Sequence, residues 1–151
     1  MIMEGRHHYP VRIYYEDTDA GGIVYHANYL RFAERARTEM LRDCGVPHAE
    51  LTDDHGLMFV VRRVRIDYRR PALLDDLLTV VTRVESMGAA SAELEQRVEG
   101  PEGELRALLR IGLACVKIDD QKPARVPDRW KEALDELSRS GTSPVPTLGE
   151  Q

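Results

Sequence analysis

Hydrophobic and polar positions along this 151-residue chain change period several times, and each change marks an element. Val11, Ile13 and Tyr15 alternate with Arg12 and Tyr14, which predicts a first strand ending near Glu16. From about Tyr29 the apolar positions Tyr29, Phe32, Ala33, Ala36 and Met40 recur at intervals of three and four. Arg31, Glu34, Arg35, Thr38, Glu39 and Arg42 take the other side, so the segment reads as an amphipathic helix of several turns. Gly45 can take the left-handed conformation that closes a helix and Pro47 cannot continue one, which places the stop near Cys44.

After a polar connection containing Asp53, Asp54 and Gly56, the period becomes two. Val64, Ile66 and Tyr68 define a second strand, and Leu78, Val80 and Val84 a third beyond Pro71 and Asp75–Asp76. Met87–Gly88 marks a turn into a half-exposed strand carrying Ala92, Leu94 and Val98. The run Gly100-Pro101-Glu102-Gly103 signals an antiparallel hairpin into a last strand with Leu105, Ala107, Leu109, Ile111, Leu113 and Cys115 on one parity. Its opposite parity is also small or apolar from Gly112 to Val116, so both faces are expected to be covered, one of them by another subunit. Trp130, Leu134 and Leu137 after Pro127 predict a short C-terminal helix.

One helix wrapped by a curved antiparallel sheet of about five strands is the simplest packing, an α+β domain. The chain length suits one hydrophobic core, with residues 1–8 as a flexible leader, 9–137 as the domain and 138–151 as a disordered tail.

A net charge of −5 argues against general nucleic-acid binding, which needs a basic face. The opening MIMEGRHHYP has no long apolar run, so neither a secretory signal nor a membrane span is expected, and the cytoplasm is the expected location. Cys44 and Cys115 form no disulfide framework or zinc spacing, and none of the five histidines forms a ligand pair with a carboxylate at helical spacing. No metal site is expected. His7–His8 is placed in the solvent-exposed leader.

The densest chemistry lies in Tyr14–Arg37, where Glu16, Asp17 and Asp19 precede Gly21–Gly22 and a helix start. A helix N-terminus offers unpaired N–H donors and partial positive charge, which suits a developing oxyanion next to a carboxylate. Acyl chemistry is the function that this order suggests. The residue types alone leave the acids open, since Asp17 can cap the loop and Glu16 can be a solvated strand end. Gly21 and Gly22 permit either close substrate approach or simply a tight turn. Arg62, Arg63, Arg65, Arg69 and Arg70 form the densest basic cluster, suited to phosphates or to an ordinary charged strand face. Glu34, with Arg31 and Arg37 three residues to either side, reads as part of an ion-paired helix face.

The block YYEDTDAGGIVYHANYLRFAERARTEML resembles the opening of the YbgC-type, Tol-Pal-associated acyl-CoA thioesterases, in the 4-hydroxybenzoyl-CoA thioesterase branch of the hotdog-fold proteins. FVVRRVRIDYRRPALLDDLL and the paired hairpin strands carry the likeness to the last strand. The resemblance implies a hotdog fold, assembly as a homo-oligomer that is a dimer of dimers, and acyl-CoA sites between subunits. It also implies that Asp19 is the catalytic carboxylate, either as nucleophile or as base on water. The His26 backbone N–H, with Tyr25 beside it, is the implied oxyanion donor. Gly21, Gly22, Arg62, Arg63 and Arg65 are the candidate substrate-binding residues.

The expectation is therefore an acyl-CoA thioester hydrolase without cofactor, CoA being part of substrate and product. Acyl carrier protein is a further candidate partner. The alternative is an acyl-carrier or envelope-assembly interaction protein with weak or incidental hydrolysis. A hotdog dehydratase is disfavoured, because its histidine and acid arrangement is not evident.

Overall fold

A computed structural model describes residues 1–139. Six antiparallel strands form one sheet: β1 (Ile2–Met3), β2 (Arg6–Arg12), β3 (Leu57–Tyr68), β4 (Leu77–Met87), β5 (Ser91–Glu99) and β6 (Leu105–Lys117). Their order is β1-β2-β4-β5-β6-β3, which leaves the 12-residue β3 at one edge. Helix α1 (Asn28–Asp43) lies on one sheet face, joined by α2 (His48–His55) and α3 (Asp128–Arg139).

The stripe expected for α1 is the buried one: Tyr29, Phe32, Ala33, Ala36 and Met40 face the core, and Leu41 joins them. Gly45 ends the helix at φ +79°, with the N–H of Val46 donating to Leu41 C=O and that of Gly45 to Arg42 C=O. These two bonds satisfy carbonyls left free by the last turn. β5 alternates buried and half-buried along its whole length, and Gly100 and Glu104 close the expected hairpin into β6.

Arg37 departs from the polar face assigned to it. Its guanidinium turns toward the sheet and donates to Gln96 Oε1 at 3.0 Å, while Gln96 Nε2 donates to Ala33 C=O and Thr82 Oγ1. This network fixes the middle of α1 over β4 and β5 with the polar atoms of buried Gln96 satisfied. Glu34 ion-pairs with neither Arg31 nor Arg37 among the described residues, contrary to the expected helix-face pairing.

Further expectations are corrected. The strand expected over Val11–Tyr15 is β2, Arg6–Arg12, and Tyr15–Asp17 forms a 3-10 turn in which the Asp17 carboxylate accepts the Tyr14 N–H at 2.8 Å. Residues 1–8, expected as a flexible leader, supply β1 and the start of β2, which pairs with β4. The polar connection after α1 holds α2, anchored by its one buried residue, Leu51. Gly112, Ala114 and Val116 are already buried in the single chain, so a second subunit is not required to cover β6. Of the expected tail, Ser138 and Arg139 complete α3, and residues 140–151 lie outside the described residues. Among the described residues no helix is long and apolar enough to cross a membrane.

His7 is 1% exposed, not solvated, and its Nε2 lies 2.7 Å from Asp43 Oδ2 at the end of α1. Burial lowers its pKa below the ordinary 6.5, outweighing the opposing bond to Asp43, while that bond holds the Asp43 carboxyl low. The neutral ring therefore donates from Nε2, leaving Nδ1 buried without a partner. Between the lowered folded value and 6.5 the unfolded chain binds the His7 proton more readily, so stability falls as pH drops below about 6.5. Asp43 acts in the same direction further down, because its contribution is lost as pH falls through its lowered folded value. Melting curves from about pH 7.5 to about pH 5 are expected to decline more steeply for wild type than for His7→Leu. Equal slopes would remove His7 from this account.

Candidate active site

The loop before α1 is a small hairpin of its own. Tyr25 N–H donates to Asp17 C=O at 3.1 Å, Asp19 N–H to Ile23 C=O at 2.9 Å, and Gly22 N–H to Asp19 C=O at 3.0 Å. Thr18 and Val24 form the bridge between the two arms. Gly22 makes the reversal at φ +81°, and a side chain on Gly21 would meet Asp19 Oδ1 at 3.2 Å. The other anchor is Asn28, whose side chain donates to Asp17 C=O at 2.9 Å and ties the hairpin to the first turn of α1.

These bonds separate three acids that the residue types left open. Asp17 is committed to structure, its carboxylate on Tyr14 N–H and its carbonyl on Tyr25 and Asn28. Glu16 is exposed and makes no ion pair among the described residues. Asp19 is exposed and among the described residues accepts one hydrogen bond, from Gly21 N–H to Oδ1 at 2.8 Å. That turn bond is a structural task, yet it leaves Oδ2 without a partner among the described residues.

At the helix start the expected donor, the His26 N–H, differs from the N–H of its neighbour Tyr25. Tyr25 N–H is taken by Asp17, whereas the N–H groups of His26 and Ala27 donate to no acceptor among the described residues. They are first-turn donors of the kind a helix start leaves unpaired. The Ala27 donor was not singled out in the sequence, although it follows from the same rule. The His26 ring forms no hydrogen bond to the sheet. It lies against Tyr25 at 4.7 Å between centroids and edge-on to Tyr68 at 6.3 Å.

The basic residues divide. Arg63 Nη2 bonds Glu93 Oε2 at 2.5 Å across Gly112, whose missing side chain makes room for the pair on the sheet face away from α1. Arg63 is thereby engaged in an exposed ion pair, on the face of β3 that Arg65, two residues on, shares. Arg62, at the β3 bulge, and Arg65 are exposed and ion-pair with nothing among the described residues.

A cavity of about 600 Å³ lies between α1 and the inner faces of β3, β5 and β6. Leu30, Leu41, Val61, Val64 and Ile111 supply apolar wall, with Glu34 and Arg37 as charged groups in it. None of Asp19, Tyr25 or His26 lines it, but Leu30 is four residues past His26, about one helical turn or ~6 Å along the axis. Among the described residues no group of three His, Cys, Asp or Glu side chains is placed to hold a metal ion.

A helix-wrapped sheet with a carboxylate loop at the helix start defines a class, and residues 14–134 match the family model of the thioesterase-like superfamily. The acyl-CoA thioesterase YbgC of Haemophilus influenzae is 44% identical over 134 residues, covering 85% of this chain and 94% of that protein. The acyl-CoA thioester hydrolase YbgC of Escherichia coli is 44% identical over 79% of this chain and 88% of its own length. A probable thioesterase from Bartonella henselae superposes with a TM-score of 0.77 at 38% identity, over 81% of this chain and 99% of that one. The chain belongs to the YbgC acyl-CoA thioesterase family of the hotdog superfamily, as its opening block indicated.

Proposed function

We propose that the protein hydrolyses acyl-CoA to a free carboxylic acid and CoA, with Asp19 as the reacting carboxylate and the His26 N–H as oxyanion donor. The observation that carries this reading is the pairing, in one hydrogen-bonded loop, of an exposed carboxylate having a free oxygen with an unclaimed helix-start N–H. As the thioester carbonyl is attacked, charge gathers on its oxygen, and a fixed backbone donor stabilises it without reorganising. Attack comes from Asp19 itself, giving a mixed anhydride that water then opens, or from water deprotonated by Asp19; both routes make the same demand on the donor. The leaving thiol has an ordinary pKa of about 8.5, so its departure asks for little help from an acid.

The apolar cavity beginning one turn beyond His26 is the chamber for the acyl group. Arg62 and Arg65 are the available cations for CoA phosphates. The long β3 edge supports pairing of two chains edge to edge, since Val61 and Val64 stand 45% and 41% exposed beside backbone groups with no neighbouring strand among the described residues. Such dimers associate in pairs, and the enzyme works in the cytoplasm with acyl-CoA or acylated carrier protein as candidate substrate carriers.

Thiol release from a panel of aliphatic and aromatic acyl-CoAs tests the activity, with sedimentation run on the same preparation. Hydrolysis of at least one thioester at a mass corresponding to four 17.2 kDa chains is expected. A folded protein that binds acylated carrier protein but cleaves no thioester would overturn the enzymatic reading in favour of an interaction role. A monomer would overturn the assembly.

A further inference from the structure

The His26 N–H is bracketed by two pinned groups. Before it, Tyr25 N–H is fixed on Asp17 C=O; after it, His26 C=O accepts the hydroxyl of Tyr68 at 3.0 Å. The same carbonyl also accepts Tyr29 N–H, but at 3.4 Å, beyond the usual range for an N–H···O bond. Tyr68 therefore makes the shorter of the two bonds to the His26 carbonyl. It is the last residue of β3, 42 positions from His26, and its ring packs edge-on against buried Tyr29 at 5.4 Å between centroids.

We propose that Tyr68 is a positioning residue for the oxyanion donors, an inference that rests on the His26 reading above. A peptide unit is planar, so a hydroxyl that holds the His26 carbonyl also sets the Ala27 N–H in the same plane. The preceding unit, which carries the His26 N–H, is held through its own carbonyl, since Tyr25 C=O accepts Asn28 N–H at 2.9 Å, so little rotation remains about the His26 α-carbon and the His26 N–H keeps one direction. A hydrogen bond accepted by the carbonyl further polarises the N–H across the same unit. Packing alone does not call for the hydroxyl: Val61, Val64 and Ile66 precede Tyr68 on the same inner face of β3 with aliphatic side chains. Tyr68 does not touch the reacting atoms in this scheme. It acts through the backbone of His26.

The test compares wild type with Tyr68→Phe, which keeps the ring and removes the hydroxyl. On an acyl-CoA that the wild type hydrolyses, kcat is expected to fall about five- to tenfold with KM within about twofold and the melting temperature nearly unchanged. The second readout is the His26 amide resonance in protein labelled with 15N-histidine, assigned by its loss in His26→Gln. A ketone analogue of acyl-CoA, with methylene in place of sulfur, is expected to displace that resonance in wild type and to displace it less in Tyr68→Phe. Equal displacement with unchanged kcat overturns the role of Tyr68 and leaves the His26 reading standing. An analogue that binds wild type without moving the His26 amide overturns the donor reading itself, and the Tyr68 inference with it. Parallel losses of kcat and melting temperature, both recovered on cooling, would show a structural residue and also overturn the proposal.

Discussion

Asp19→Asn is expected to lower kcat by about a thousandfold or more, with KM little changed and the melting temperature within about 2 °C of wild type. The two halves of this result have separate causes. Asparagine keeps an oxygen that accepts the Gly21 N–H, so the turn now closed by Asp19 Oδ1 at 2.8 Å survives. What it lacks is the negative charge, and with it the capacity to add to a carbonyl or to take a proton from water. Residual turnover is expected from the His26 N–H and from substrate binding, as neither depends on the carboxylate. Asp17→Asn provides the contrast, since the Asp17 carboxylate accepts Tyr14 N–H in the 3-10 turn and asparagine can still do so. It should retain most activity. Full activity in Asp19→Asn, measured as released thiol, would remove Asp19 from the chemistry.

The main elements were legible where burial imposes a long, regular period. The α1 stripe and the alternation of β5 are readable because nearly every inward position is apolar. β2 was read too late in the chain because one of its inward positions is His7, which a polarity pattern assigns to solvent although it is fully buried. α2 escaped notice because it buries only Leu51. The site divides in the same way. Its loop was conspicuous as a cluster of acids, glycines and a helix start, but choosing Asp19 over Asp17 on physical grounds needs to know which carboxylate the turn consumes. Tyr68 gave no local signal at all, since its partner lies 42 residues away. Arg63 likewise reads as a free cation until Glu93 is brought across the sheet to it.

Trp130→Ala is expected to cost about 3–5 kcal/mol, a drop in melting temperature on the order of 10 °C for a domain of this size. Trp130 is 0% exposed and the largest of the fully buried side chains. Its indole N–H donates to Val46 C=O at 3.1 Å, so α3 is bonded to the turn that links α1 to α2. Arg129 reinforces that junction by donating to Gly45 C=O at 2.8 Å and by pairing with Glu50, while His55 at the end of α2 meets the indole edge-on at 5.3 Å. Truncation to alanine removes the ring, leaves a cavity where three helices meet, and strands the Val46 carbonyl. Trp130→Phe separates these effects, because it restores most of the volume but not the donor; it should recover more than half of the lost stability. The loss is large against a typical total of about 5–15 kcal/mol, so soluble yield should fall as well. Catalysis per folded molecule should be nearly unaffected, as Trp130 contacts the α1–α2 turn and not the loop from Asp17 to His26. A melting temperature within about 3 °C of wild type for Trp130→Ala would mean that α3 is not part of the cooperative core.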